Sequence, residues 1–79
     1  MAHYVIYTKD NCSQCVTAKN LLKSEGIEFE EKNVDVDQEA LQHILNMGLR
    51  SMPQITKNNS LIPNGLQGLQ RLWREGKLS

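Results

Sequence analysis

The sequence predicts an α/β fold in which a parallel β-α-β unit is followed by a helix, an antiparallel hairpin and a last helix. Stretches that alternate or are rich in β-branched residues predict strands, and stretches with apolar residues three and four positions apart predict helices. These stretches follow the order β-α-β-α-β-β-α. A chain of 79 residues can enclose one hydrophobic core but not two, so we expect a single domain, residues 1–79.

The first β-α-β unit fills the N-terminal half. His3–Thr8 is rich in aromatic and β-branched residues and predicts the first strand. Ser13–Glu25 predicts the first helix, because its apolar positions recur at helical spacing and Gly26 follows as a stop signal. Ile27–Val36 predicts a second strand with one buried face, formed by Ile27, Phe29, Val34 and Val36. A right-handed crossover should make these two strands parallel.

The second helix is predicted to begin after Asp37, a good capping residue, and to end at Gly48. Its apolar positions are Ala40, Leu41, Ile44, Leu45 and Met47. We expect these side chains to cover one side of the sheet.

The C-terminal part predicts a hairpin and a helix. A strand at Pro53–Thr56 passes through a polar turn at 57–60 into a short strand at Leu61 and Ile62. The last helix is predicted over Leu66–Glu75, with an apolar stripe of Leu66, Leu69, Leu72 and Trp73. The complete order predicts a four-stranded mixed sheet flanked by helices, the thioredoxin-like arrangement.

Composition excludes several classes of protein. Nine basic residues balance nine acidic ones, and no run of like charge suggests a nucleic-acid surface. Residues 1–10 lack the pattern of a secretory signal, and no apolar run approaches membrane-spanning length. We therefore expect a monomeric cytoplasmic protein that binds neither nucleic acid nor membrane.

The two cysteines, Cys12 and Cys15, lie where the first strand passes into the first helix. A disulfide between them closes so small a loop that it would stabilise the fold only modestly. Cys12 falls at or near the helix N-cap, where unpaired backbone N–H groups and the helix dipole favour a thiolate. We predict that Cys12 is a nucleophile with a lowered thiol pKa, and that the less exposed Cys15 resolves the mixed disulfide.

Two other interpretations of the cysteine pair are weaker. A zinc site needs about four ligands, and beyond the cysteines the chain offers only His3 and His43, without a second cysteine pair. We therefore predict no metal. Cysteines three positions apart in a helix can also be inert core residues. Their position at the strand-to-helix junction argues against that role.

Two motifs carry a family resemblance. The first is the run Ile6-Tyr7-Thr8-Lys9-Asp10-Asn11-Cys12 followed by x-x-Cys15, and the second is Ser51-Met52-Pro53-Gln54-Ile55. Along nearly its whole length the chain resembles the glutaredoxin family. The resemblance implies a cytoplasmic disulfide oxidoreductase that reduces protein or glutathione mixed disulfides, with no bound cofactor and glutathione as reductant. It also implies a cis Met52–Pro53 bond facing the cysteines. The substrate- or glutathione-binding positions it implies are Lys9, Gln14, Met52, Pro53, Gln67 and Gly68.

Departures from the family pattern leave the reductant open. Ser13 and Gln14 stand where the family has proline and an aromatic residue. A glutamine there resembles the ribonucleotide-reductase-associated, glutaredoxin-like thioredoxins, which are reduced by thioredoxin reductase. Gln67 and Gly68 stand where the family's Gly-Gly-x-Asp-Asp loop has carboxylates for glutathione, so its affinity should be reduced. The alternative from another class is a non-enzymatic module for metal binding or for redox-sensing docking.

Overall fold

The computed structural model describes residues 3–78 and contains seven elements in the predicted order. They are β1 (Tyr4–Thr8), α1 (Ser13–Ser24), β2 (Phe29–Asn33), α2 (Gln38–Asn46), β3 (Gln54–Lys57), β4 (Ser60–Ile62) and α3 (Gly65–Arg74). The sheet order is β2-β1-β3-β4, with β1 and β2 parallel and the other pairs antiparallel. The predicted thioredoxin-like fold is confirmed. Within residues 3–78 no helix is long and apolar enough to cross a membrane.

The central strand β1 is buried throughout and divides the core into two apolar clusters. Its alternate side chains explain this, because Tyr4 and Ile6 belong to one cluster and Val5 and Tyr7 to the other. The first cluster also holds the buried side chains of α1 and α3, which are Ala18, Leu22 and Leu69. The second holds Ala40 and Ile44 of α2. Helices α1 and α3 therefore cover one face of the sheet and α2 covers the other.

The helix ends follow the predicted capping residues. Asp37 accepts a hydrogen bond from the N–H of Ala40 at 3.1 Å and so begins α2. Helix α1 ends at Ser24 with Glu25 as its C-cap, and Gly26 follows with φ of +68°, a conformation that glycine adopts without steric cost. These caps fix the start of α2 and the direction in which the chain leaves α1.

The second strand is shorter than predicted. It ends at Asn33, whose carbonyl accepts hydrogen bonds from the N–H groups of Val36 and Asp37. The chain turns there, so Val36 is 77% exposed and the prediction that it lies on a buried face is wrong. Val34 is buried as expected. The alternating apolar pattern of the sequence therefore extends beyond Asn33, the last residue of β2.

Two predicted apolar faces are only partly buried. On α2, Ala40 and Ile44 are buried, whereas Leu41 and Leu45 are exposed. On α3, Leu69 is fully buried but Trp73 is 46% exposed, which corrects its expected place in the apolar stripe. In both cases only a narrow strip of the helix meets the sheet.

Candidate active site

The cysteine pair stands at the start of α1. Cys12 is the N-cap residue, in extended conformation, and its Sγ accepts a hydrogen bond from the N–H of Cys15 at 3.1 Å. A disulfide joins the two residues, whose Cα atoms are 5.2 Å apart. Cys12 is half-buried, whereas Cys15 is only 2% exposed. The predicted placement of an outer and an inner sulfur is thus confirmed.

The segment before β3 faces the disulfide. The carbonyl oxygen of Met52 lies 3.9 Å from Cys12 Sγ. The Met52–Pro53 peptide bond is cis, as the family resemblance implies. Met52 and Pro53 are both buried. The structure therefore brings these two predicted binding residues to the cysteine pair.

A groove of about 520 Å³ opens on the β2 side of the cysteines. Its lining comes from the β1–α1 connection, the first two turns of α1 and the adjacent strand β2. The lining residues with charge or sulfur are Lys9, Asp10, Cys12, Cys15, Lys19 and Glu31. Lys9, a predicted binding residue, is exposed there.

Glu31 is the centre of a small polar network in this groove. Its Oε2 accepts a hydrogen bond from the hydroxyl of the buried Thr8 at 2.8 Å and one from Lys19 Nζ at 3.1 Å. Burial tends to raise the pKa of Glu31, but these two hydrogen bonds and the charges of Lys19 and Lys23 outweigh it and hold the pKa below the ordinary value of a glutamate. Glu31 is therefore an anion at neutral pH.

This network is not predicted by any pattern in the sequence. Thr8 and Glu31 both fall within predicted strands, and the signal that brings them together is the register of the parallel pair. Ile6 lies opposite Glu31 and Thr8 opposite Asn33, which puts these side chains on the face covered by α1. The charged partner, Lys19, comes from that helix.

The other predicted binding residues lie elsewhere. Gln14 is exposed on the first turn of α1, and Gln67 is exposed on the first turn of α3. Gly68 packs so closely on Pro63 that a Cβ atom would overlap the carbonyl oxygen of that proline. It lines a different groove, between β4 and α3. The structure thus gives Gly68 a packing role and places it outside the groove beside the cysteines.

The start of α3 is nevertheless tied to the cis-proline segment. Gly65 has φ of +52°, and a Cβ atom there would lie 2.6 Å from the carbonyl oxygen of Pro53. Only glycine permits this approach.

Within residues 3–78 no three His, Cys, Asp or Glu side chains come together as metal ligands.

A sheet of order β2-β1-β3-β4, a Cys-x-x-Cys disulfide at a helix start and a cis-proline facing it define a thioredoxin-fold dithiol protein. The family model described as Glutaredoxin matches residues 4–62. The chain belongs to the glutaredoxin family, and the predicted function, thiol–disulfide oxidoreductase, is confirmed at that level.

Relatives and solved structures agree with this assignment. The chain is 39% identical over 54 residues to the glutaredoxin-like protein NrdH of Lactococcus lactis, covering 68% of this chain and 75% of the relative. A probable glutaredoxin of Synechocystis is 39% identical over 75 residues, 92% of this chain and 84% of the relative.

Among solved structures, glutaredoxin from Brucella melitensis aligns with a TM-score of 0.80 and 33% identity, covering 99% of this chain and 85% of that one. The Escherichia coli NrdH-redoxin, described as glutaredoxin-like with a thioredoxin-like activity profile, aligns with a TM-score of 0.77 and 29% identity, covering 89% and 93%.

Proposed function

We propose that this protein is a dithiol reductase in which Cys12 is the nucleophile, Cys15 the resolving thiol and thioredoxin reductase the source of electrons. The observation that carries the first two roles is the unequal exposure of the sulfurs, with Cys15 2% exposed behind the half-buried Cys12. This difference favours the outer sulfur as the one that meets a protein substrate. The capping N–H of Cys15, 3.1 Å from Cys12 Sγ, favours the thiolate form of that outer sulfur.

The chemistry follows in two exchanges. The Cys12 thiolate attacks one sulfur of a substrate disulfide, forms a mixed disulfide and releases the other substrate sulfur as a thiolate. Cys15 then loses its proton and attacks Cys12 Sγ, which breaks the mixed disulfide and releases the second substrate thiolate. Two electrons have passed to the substrate, and the Cys12–Cys15 disulfide seen in the structure remains. An external reductant must then reduce it.

The substrate is proposed to bind across the cis-proline segment. Met52 carries a carbonyl oxygen 3.9 Å from Cys12 Sγ, so an extended chain whose sulfur reaches Cys12 passes beside this backbone. Pro53 shapes the same segment, and the exposed Lys9 on the other flank can meet a carboxylate of the substrate. Gln14, on the first turn of α1, is proposed to contact the reductase or client protein.

Two observations favour thioredoxin reductase over glutathione as the electron donor. They are the residues at the start of α3 and the similarity to proteins named NrdH. The first turn of α3 presents Gln67 and Gly68 where glutathione users of the family carry carboxylates. Gly68 cannot acquire a side chain without displacing Pro63. The chain is also similar to relatives named NrdH, and Gln14 resembles the glutamine of the glutaredoxin-like thioredoxins. We propose ribonucleotide reductase as a client and the cytoplasm, where thiols are kept reduced, as the site of action.

A comparison of the two reducing systems tests the proposed reductant. We expect kcat/KM for reduction of a model protein disulfide to be at least about tenfold higher with NADPH and thioredoxin reductase than with NADPH, glutathione and glutathione reductase, since a lost charge-assisted contact has about that effect. As a matched variant, Gln67→Asp should raise only the glutathione-coupled rate. A wild-type protein that is faster with glutathione would contradict the proposal.

Alkylation of Cys12 tests its role as nucleophile. In a Cys15→Ser variant, the rate of reaction with iodoacetamide across pH should reach half of its maximum at least about one unit below the 8.5 of a free cysteine, because the helix start stabilises the thiolate. The same variant unfolded in urea is the control and should titrate like free cysteine. Folded protein that titrates like the unfolded control would remove the physical basis for assigning Cys12.

A further inference from the structure

The buried sulfur has a charged neighbour on its own helix. Cys15 and Lys19 are four residues apart in α1 and therefore lie on the same helix face, one turn apart. Both line the groove beside the cysteines. Since Cys15 is 2% exposed, burial opposes formation of its thiolate, and the resolving step requires that thiolate.

Lys19 forms an ion pair with Glu31 in this groove. Its ammonium is 3.1 Å from Glu31 Oε2, and the side chains of the pair are only 25% and 37% exposed. Glu31 is itself held by the hydroxyl of Thr8, a residue that is 2% exposed on the central strand. The ammonium is therefore held at the edge of the sheet by Glu31, in the groove that Cys15 also lines.

The other charged or titratable groups near Cys15 are placed differently. Lys9 and Asp10 line the groove from the exposed β1–α1 connection, where the N–H of Asp10 is bound to Asp35. Tyr7 packs in the same apolar cluster as Cys15, on the face covered by α2, and the ring of His43 lies 5.9 Å from its ring.

Within α1, Lys23 is exposed one turn beyond Lys19, and it acts on Glu31 through its charge alone. The Asp10 carboxylate is also held by the sheet, because it accepts a hydrogen bond from Asn33 Nδ2 at 3.0 Å. Lys19 and Glu31 differ from it in forming an ion pair inside the groove, with Glu31 bound to the hydroxyl of Thr8.

We propose that the Lys19–Glu31 ion pair sets the acidity of the Cys15 thiol, with the Lys19 ammonium stabilising the thiolate and the Glu31 carboxylate opposing this by partly neutralising that charge. The inference rests on the proposed function of Cys15 as the resolving thiol. In the step it controls, the proton of Cys15 passes to water in the groove and the resulting thiolate attacks Cys12 Sγ. The substrate thiolate leaves and takes up a proton from water.

A thiolate titration tests the pair without any substrate. In a Cys12→Ser background Cys15 is the single thiol, and its ultraviolet thiolate absorbance can be followed against pH. Lys19→Met should move the midpoint up by about half a unit to one unit, the scale expected for one charge at a partly solvated site. Glu31→Gln should move it down, because it removes an anion and frees the ammonium. The titration midpoint of the Lys19→Met, Glu31→Gln double variant should lie between those of the two single variants.

Matched controls separate charge from structure. Lys23→Met removes a charge from the same helix, and Glu30→Gln removes one from the neighbouring position of β2; each should move the midpoint by less than half as much as its partner variant. Shifts of Lys19→Met and Glu31→Gln in the same direction, or no larger than those of the controls, would overturn the inference. Failure of the proposed function is recognised separately, since it would appear as absent disulfide turnover in the unmodified protein.

Discussion

We expect Cys12→Ser to abolish reduction of a protein disulfide, with a loss of turnover of at least about a thousandfold, and Cys15→Ser to stop the reaction one step later. Serine at the helix start is a far weaker nucleophile than a thiolate, so no mixed disulfide forms in the first variant. In the second variant Cys12 still attacks, but no thiol follows to release the product. Thiol-trapping mass spectrometry should therefore find a long-lived mixed disulfide only in Cys15→Ser.

The control is Ser13→Ala, which changes an exposed residue between the cysteines and leaves both sulfurs in place. Its turnover should stay within about threefold of the unmodified protein, since neutral surface changes have small effects. Disulfide reduction that survives in Cys12→Ser would show that the chemistry does not depend on this sulfur, and the proposed mechanism would be wrong.

Gly68→Ala should produce the largest loss of stability of any glycine-to-alanine change in this chain. Alanine favours a helix by about 1 kcal/mol over glycine, yet here its Cβ would overlap the carbonyl oxygen of Pro63 and press on Ile62. Backbone atoms cannot move aside without shifting α3 away from β4. We expect the free energy of unfolding to fall by about 3 kcal/mol or more, measured by urea denaturation.

Gly76→Ala is the matched control. Gly76 also has a positive φ, +70°, but no atom lies within 4 Å of the Cβ position there. The loss should therefore be limited to the conformational cost of about 1 kcal/mol. If Gly68→Ala were no more destabilising than this control, the close packing of α3 on Pro63 would not be a requirement of the fold.

The fold could be predicted from the sequence because each helix has its own local signals. Asp37 and Gly26 act within a few residues of their own position, so capping and termination need no knowledge of the rest of the chain. Errors arose where burial depends on distant elements. Val36 continues the alternation of β2 but lies in a turn, and Trp73 continues the stripe of α3 beyond the region that meets the sheet.

The candidate site was predictable to the same extent. Short sequence motifs predict both Cys12 at a helix cap and the segment at Pro53, and the structure brings the two together. Glu31 joins Thr8 and Lys19 only through the pairing of β1 with β2 and the packing of α1, which no local pattern records. Gly68 shows the converse case, in which an alignment to a binding loop concealed a steric requirement.

The hydrogen bond from the N–H of Cys15 to Cys12 Sγ links the stability of the start of α1 to the reduction potential of the cysteine pair. The same amide meets a neutral sulfur in the oxidised protein and an anionic one after reduction, so the first turn of α1 is held more firmly when the protein carries electrons. Preferential stabilisation of the reduced form makes a dithiol pair more oxidising, by about 30 mV for each 1.4 kcal/mol. The first turn of α1 thus helps to determine the reduction potential of the Cys12–Cys15 pair.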